Sequence, residues 1–168
     1  MRNRLVMAGL VALSVYPVTS LARVWIGGDV GVTGGALAGT SPLGVYGGLS
    51  TRSFPVGVEL GYQTLTVNPA RIGMFTVTAL YRTPITQFRG LYFLARGGVA
   101  TIYSTHNAFI RNTTRPLLGA GVSYRITPNV NLRAEYDLIV DPRTAYGPSQ
   151  NADELLAGVT YQFGGTRR

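Results

Sequence analysis

Cysteine and lysine are both absent from this 168-residue chain, and charge of either sign is scarce. Without cysteine there is no disulfide, no thiolate metal ligand and no cysteine nucleophile. Without lysine there is neither a P-loop lysine nor Schiff-base chemistry, since all fifteen basic residues are arginine. Charged residues make up 13% of the chain, about half of the ~25% usual in soluble domains. No apolar run reaches the ~20 residues of a membrane-spanning helix. The formal charge of +8 raises nucleic acid as a partner. The arginines are spread singly, however, without the basic stripe or aromatic-basic motif that such binding needs. Nucleic acid is therefore not an expected partner.

Glycine, at 22 residues, and tyrosine, at 10, are abundant. The N-terminus reads as an export signal over residues 1–22. Arg2 and Arg4 give the positive segment, Leu5 to Val15 the short apolar one, and Ser20-Leu21-Ala22 the small residues of a cleavage site. Cleavage after Ala22 would lower the formal charge by two. Residues 23–168 read as one domain, long enough to bury a substantial core.

Within that domain the apolar residues recur every second position. The clearest stretch is Asn129–Asp141, NVNLRAEYDLIVD. Val130, Leu132, Ala134, Tyr136, Leu138 and Val140 make one face. Asn131, Arg133, Glu135, Asp137 and Asp141 make the other, broken only by Ile139. A period of two is a β-strand, and a helix would scatter these residues around its circumference. Eight such segments are predicted, near 24–33, 43–51, 55–65, 71–83, 90–104, 116–127, 129–141 and 153–163. Short connections at 51–55 and 127–129 alternate with longer ones at 33–43, 104–115 and 141–153. Short turns at one end and long loops at the other mark an outer-membrane barrel. The connections 65–71 and 83–90 fit that alternation less well.

A lipocalin alternates in the same way with its apolar face inside, so the polar face must decide the direction. On strand three it reads Gly57, Glu59, Gly61, Gln63; on strand six Gly119, Gly121, Ser123, Arg125; on strand eight Glu154, Leu156, Gly158, Thr160, Gln162. These small residues suit the narrow interior of an eight-stranded barrel, not a wall facing water. The opposite faces read Val56, Val58, Leu60, Tyr62 on strand three and Phe75, Val77, Ala79, Tyr81 on strand four. Strand six gives Leu118, Ala120, Val122, Tyr124, Ile126, and strand eight Leu155, Ala157, Val159, Tyr161, Phe163. None of these is charged, and such a surface would aggregate in water. Aromatics gather near strand ends, as interfacial girdles do: Trp25, Tyr81, Tyr124, Tyr161 and Phe163 at one end, and Tyr62, Phe75 and Tyr103 at the other. An open sheet edge is prohibitive in hydrocarbon, so the sheet must close. The expected fold class is all-β, an eight-stranded antiparallel up-and-down transmembrane β-barrel.

The C-terminal third, LLGAGVSYRITPNVNLRAEYDLI followed by LLAGVTYQF, resembles the small outer-membrane β-barrel family. That family includes the transmembrane domain of outer membrane protein A and the outer membrane protein X and Ail group. The resemblance implies a bacterial outer-membrane barrel, monomeric, in contact with lipid and lipopolysaccharide. It also implies that Val159, Tyr161 and Phe163 form the final-strand signal read by the barrel-assembly machinery. The tail Gly164–Arg168 departs from the family habit of stopping at the aromatic residue. No peptidoglycan-binding domain like that of outer membrane protein A is expected.

The charged residues on inward parity include Asp29, Glu59, Arg82, Arg96, Arg125, Arg133, Glu135 and Asp137. They are expected to form one ionic network that plugs the lumen, the alternative being a narrow hydrated channel. Arg71, Arg111, Arg115 and Arg143 lie in or near the outer connections, as phosphate contacts for lipopolysaccharide or as solvated loop charges. A lipid A-modifying enzyme would need a histidine with a nearby serine and carboxylate. The single histidine, His106, follows Ser104 by two residues with no carboxylate nearby in sequence, so no enzyme and no cofactor is expected. The function expected is structural or one of surface interaction, including adhesion or binding of a host ligand through the outer loops.

Overall fold

A computed structural model of the chain describes residues 22–35, 37–51, 54–67, 70–104, 113–140 and 151–163. Residues 1–21 of the expected export signal 1–22 lie outside the described residues, as do most of the two longest connections and the C-terminal tail. Eight strands follow one another: β1 (Ala22–Gly35), β2 (Ser41–Thr51), β3 (Val56–Val67), β4 (Ala70–Pro84), β5 (Leu91–Ser104), β6 (Thr113–Arg125), β7 (Val130–Ile139) and β8 (Ala152–Phe163). Each pairs antiparallel with its neighbours in sequence, and β1 pairs with β8 from Val24↔Phe163 to Gly35↔Ala152, closing the barrel.

The period of two maps directly onto two walls. Val58, Leu60, Tyr62, Phe75, Val77 and Tyr81 point outward and are exposed, while Glu59, Gln63, Thr76 and Thr78 on the same two strands are buried. The outer surface therefore bears the uncharged face, which suits lipid, and the polar face lines the lumen. One aromatic assignment is corrected. Trp25 does not join the outer girdle; it lies on the lumen parity of β1, where Ile26, Val30 and Val32 are the exposed residues. Its ring lies over Gly48 and Gly57, where a Cβ on either glycine would collide with it. Only glycine at both positions leaves room for an indole inside so narrow a barrel.

The outer connections are tighter than expected at two places. At one, β3 runs to Val67 and β4 starts at Ala70, within the connection expected at 65–71. The predicted loop 33–43 shrinks to a reverse turn between β1 and β2. Gly35 and Gly39 adopt positive φ, 58° and 82°, and Thr33 Oγ1 donates to the Leu37 carbonyl at 2.5 Å. The turn folds Leu37 back over the barrel mouth, where it is 3% exposed. It joins Leu65, Met74, Ala100, Ile102, Leu117, Ile139 and Ala152 in an apolar cluster inside this end of the lumen. Ile139, the one residue that breaks the polar face of β7, is thus an inward core residue. Strand β6 begins at Thr113, so it takes the last residues of the predicted loop 104–115.

Val77 lies at the middle of β4 on the outer face. V77R is expected to cost ~2–4 kcal/mol, the penalty of a cation at the bilayer midplane. That cost would be read as a lower urea midpoint for the barrel in lipid vesicles; an unchanged midpoint would contradict a lipid-facing wall.

Candidate functional site

The lumen is the site, and the register builds it by opposing long side chains to absent ones. Arg133 stands across from Gly158, Glu135 across from Gly121 and Asp137 across from Gly119. Added Cβ atoms at Gly119 or Gly121 would strike the Asp137 or Glu135 side chain. Three consecutive inward residues of β7 thereby reach the barrel axis, where β3 and β5 supply their partners.

Arg133 is the hub. Its Nη1 and Nη2 donate to the two oxygens of Glu59 at 2.6 and 2.9 Å, and its Nε and Nη2 donate to the two oxygens of Glu135 at 2.5 and 2.7 Å. One guanidinium therefore clamps two carboxylates, using the planar fork that distinguishes arginine from lysine. Arg96 closes the cluster from β5. Its Nη1 lies 3.2 Å from Glu135 Oε2 and 3.5 Å from Glu59 Oε1, and its Nη2 lies 2.8 Å from Asp137 Oδ2. Trp25 Nε1 donates to Glu59 Oε2 at 3.0 Å. The Tyr46 ring lies 4.6 Å from the Arg133 guanidinium carbon, and its hydroxyl is 2.7 Å from Thr160 Oγ1. All five charged residues of this cluster are buried.

The eight residues expected in one network are therefore not all joined. Glu59, Arg96, Arg133, Glu135 and Asp137 come together; Arg82, Arg125 and Asp29 do not. Arg82 lies four residues along β4 from Thr78, the register partner of Glu59, about 13 Å at ~3.3 Å per residue. It donates instead to Asn131 Oδ1 at 3.2 Å, with its guanidinium 4.0 Å from the centroid of the Tyr92 ring. Arg125 is exposed at the same end, 5.0 Å from that ring. Asp29 is half-buried against Gly44 and Gly158, and its Oδ1 is enclosed without a hydrogen-bond partner among the described residues. Glu154, inward on β8, stands opposite Asp137 in the register and is fully buried. Parity marked it as inward, but only the register shows that it adjoins the cluster.

Of the four arginines set against lipopolysaccharide, Arg111 and Arg143 lie outside the described residues, and Arg71 is described only through its backbone pairing with Thr66. Arg115 lies on the lumen parity of β6, half-buried with its Nε enclosed, which turns it away from the lipid face. His106 is likewise outside the described residues. Val159, Tyr161 and Phe163 all point outward and are exposed, the two rings meeting edge-on at 5.0 Å.

Viewed along its axis, the interior has three layers. An apolar layer fills the end carrying the longer connections, the ion cluster spans the middle, and a cavity of about 520 Å³ opens at the end carrying the short turns. Charges placed this way can hold strands together and block passage.

A family model described as an outer membrane protein beta-barrel domain matches residues 5–163. The N-terminal β-barrel domain of Pseudomonas aeruginosa OprF is similar in structure, with a TM-score of 0.63 and 20% identity over 84% of this chain and 97% of that one. Neisserial surface protein A gives 0.57 and 18%, with the same coverages. Ail, the attachment invasion locus protein of Yersinia pestis, gives 0.54 and 15%, again over 84% and 97%. The outer membrane enzyme PagL gives 0.51 at 8% identity, over 82% of this chain and 98% of PagL. At such identities the likeness is one of fold. No match appears among curated protein sequences.

Arg133→Ala would leave the buried Glu59, Glu135 and Asp137 carboxylates to share Arg96 alone, an expected loss of ~3–5 kcal/mol. Heat-modifiable migration on a gel should show unfolding at a lower temperature. The paired change Glu59→Leu with Arg133→Leu should cost less than Arg133→Ala alone; equal or additive losses would contradict a mutually compensated cluster.

Proposed function

The chain belongs to the outer membrane protein β-barrel domain family, and from that membership we propose that it is a closed, non-conducting barrel of the bacterial outer membrane that stabilises the membrane and presents its outer loops. The observation that carries this reading is the double closure of the lumen. Arg133, Glu59 and Glu135 meet across the axis, and above them Leu65, Met74, Leu117 and Ile139 are wholly buried. A hydrated pore needs both layers to part, at the cost of separating buried ion pairs and wetting an apolar core.

The exported chain would be inserted as a monomer after removal of residues 1–22, with Val159, Tyr161 and Phe163 presented to the assembly machinery. Its two termini and its short turns would face the periplasm, leaving outside the connections within the predicted loops 104–115 and 141–153, cut back by β5, β6 and β8 to 105–112 and 141–150. Two structural relatives support a surface role by name, Ail as an attachment invasion locus protein and the Neisserial protein as a surface protein. PagL supports the fold only.

Purified barrel in a planar lipid bilayer should give no stable conductance steps, and a reproducible open channel would defeat the closed-barrel reading. Bacteria producing the full chain should bind host cells more than bacteria producing a barrel lacking 105–112 and 141–150, the connections outside β5, β6, β7 and β8. Equal binding by the two would remove the loops as the interacting surface.

A further inference from the structure

Charge is segregated along the barrel axis. The middle layer and its surroundings hold Asp29, Glu59, Glu135, Asp137 and Glu154 against two arginines, Arg96 and Arg133. The cavity at the short-turn end is the reverse. Arg23, Arg82, Arg125 and Arg133 all line it, and no described lining residue is acidic. Arg133 is already satisfied by Glu59 and Glu135 at the cavity floor. The other three guanidiniums have no carboxylate among the described lining residues.

The geometry of two of them is specific. Arg82 is half-buried, holds Asn131 with one terminal nitrogen, and has its Nε enclosed without a partner. Arg82 and Arg125 both lie against the ring of Tyr92, at 4.0 and 5.0 Å from its centroid. One aromatic ring thus brings two like charges together, Arg82 half-buried in the pocket wall, where water screens it less than at an open surface, and Arg125 exposed at the mouth. Such an arrangement repels itself when empty and is relieved by an anion that bridges both forks. Guanidinium forks match phosphate and carboxylate oxygens two at a time. The Ser50, Ser123 and Gln162 side chains beside them add neutral hydrogen-bonding groups. A volume of about 520 Å³ lies within the ~300–1,000 Å³ range of small-molecule sites. The ion cluster closes the floor and the strands wall off lipid, so the mouth at the short-turn end is the route of entry.

We infer that this vestibule is a binding site for a soluble polyanion bearing two or more phosphate or carboxylate groups, entered from the periplasmic side. The inference is separable from the closed-barrel reading: conductance would overturn that reading and leave the cationic site in place.

Trp25 is the single tryptophan of the chain and lines the cavity, so its fluorescence reports occupancy. Full-length protein folded in zwitterionic detergent should show a saturable fluorescence change with inorganic pyrophosphate, beyond that of sodium chloride at matched ionic strength. R125Q alters an exposed residue and should weaken the apparent Kd at least tenfold; R82Q/R125Q should weaken it further. R115Q, at the other end of the barrel, should titrate like the parent. A response that follows ionic strength alone, or a parental Kd in R125Q shown to be folded by heat-modifiable migration, would overturn the site. An equal fluorescence change on moving from phosphatidylcholine to phosphatidylglycerol nanodiscs, without pyrophosphate, would assign the oxyanion to a lipid headgroup and overturn a soluble ligand.

Discussion

Pairing of β1 with β8 is the constraint on which everything else in this barrel depends. In hydrocarbon an unpaired backbone amide or carbonyl has no water to turn to, and each costs several kcal/mol. Twelve register pairs, from Val24↔Phe163 to Gly35↔Ala152, remove that edge. Once the sheet closes, every strand acquires an inside and an outside, and alternation along the chain becomes a partition between lumen and lipid. The same closure sets the lumen's width, so the interior must be packed by choosing where side chains are present and where they are not.

That packing explains why glycine and arginine coexist on the inner wall. Trp25 occupies the space that Gly48 and Gly57 leave, and Tyr46 the space beside Gly27. Arg133, Glu135 and Asp137 extend across glycines of the flanking strands. A lysine in place of Arg133 could not clamp Glu59 and Glu135 through one planar group. The hub of the lumen thus draws on the chain's exclusive use of arginine. The apolar layer above the cluster and the cationic vestibule below give the barrel three chemically different depths. Passage through its length and binding at one end become separate properties.

Much of this was legible in the sequence, and the exceptions have physical causes. Alternation identified eight strands and their outward faces because lipid imposes one uniform demand, the absence of charge, on the outward positions along the middle of every strand. Asp153, at the outer end of β8, sits beyond that band. Val130–Ile139 is the clearest case: alternation separates its two faces residue by residue, including the break at Ile139, but gives no reason for that break; Asp141 lies outside the described residues. Trp25 misled because an aromatic near a strand end fits a lipid girdle as well as a lumen; its shared parity with Asp29, four residues on, is the signal that points it inward, and Gly48 and Gly57 supply the room. The loop expected at 33–43 became a turn because two glycines at positive φ and the Thr33 hydroxyl closed it locally.

Parity is a property of one strand, and so the sequence by itself determined which residues face inward. Depth is a property of neighbouring strands, because the stagger of one strand against the next decides which inward residues meet. Glu59 and Arg133 are 74 positions apart in the chain, and no spacing rule brings them together. Register alone put Arg96 into the ion cluster, left Arg82 and Arg125 beside Tyr92, and set Glu154 opposite Asp137. The tertiary structure therefore decided where the lumen is closed and where it is open, since that depends on the level at which charges meet.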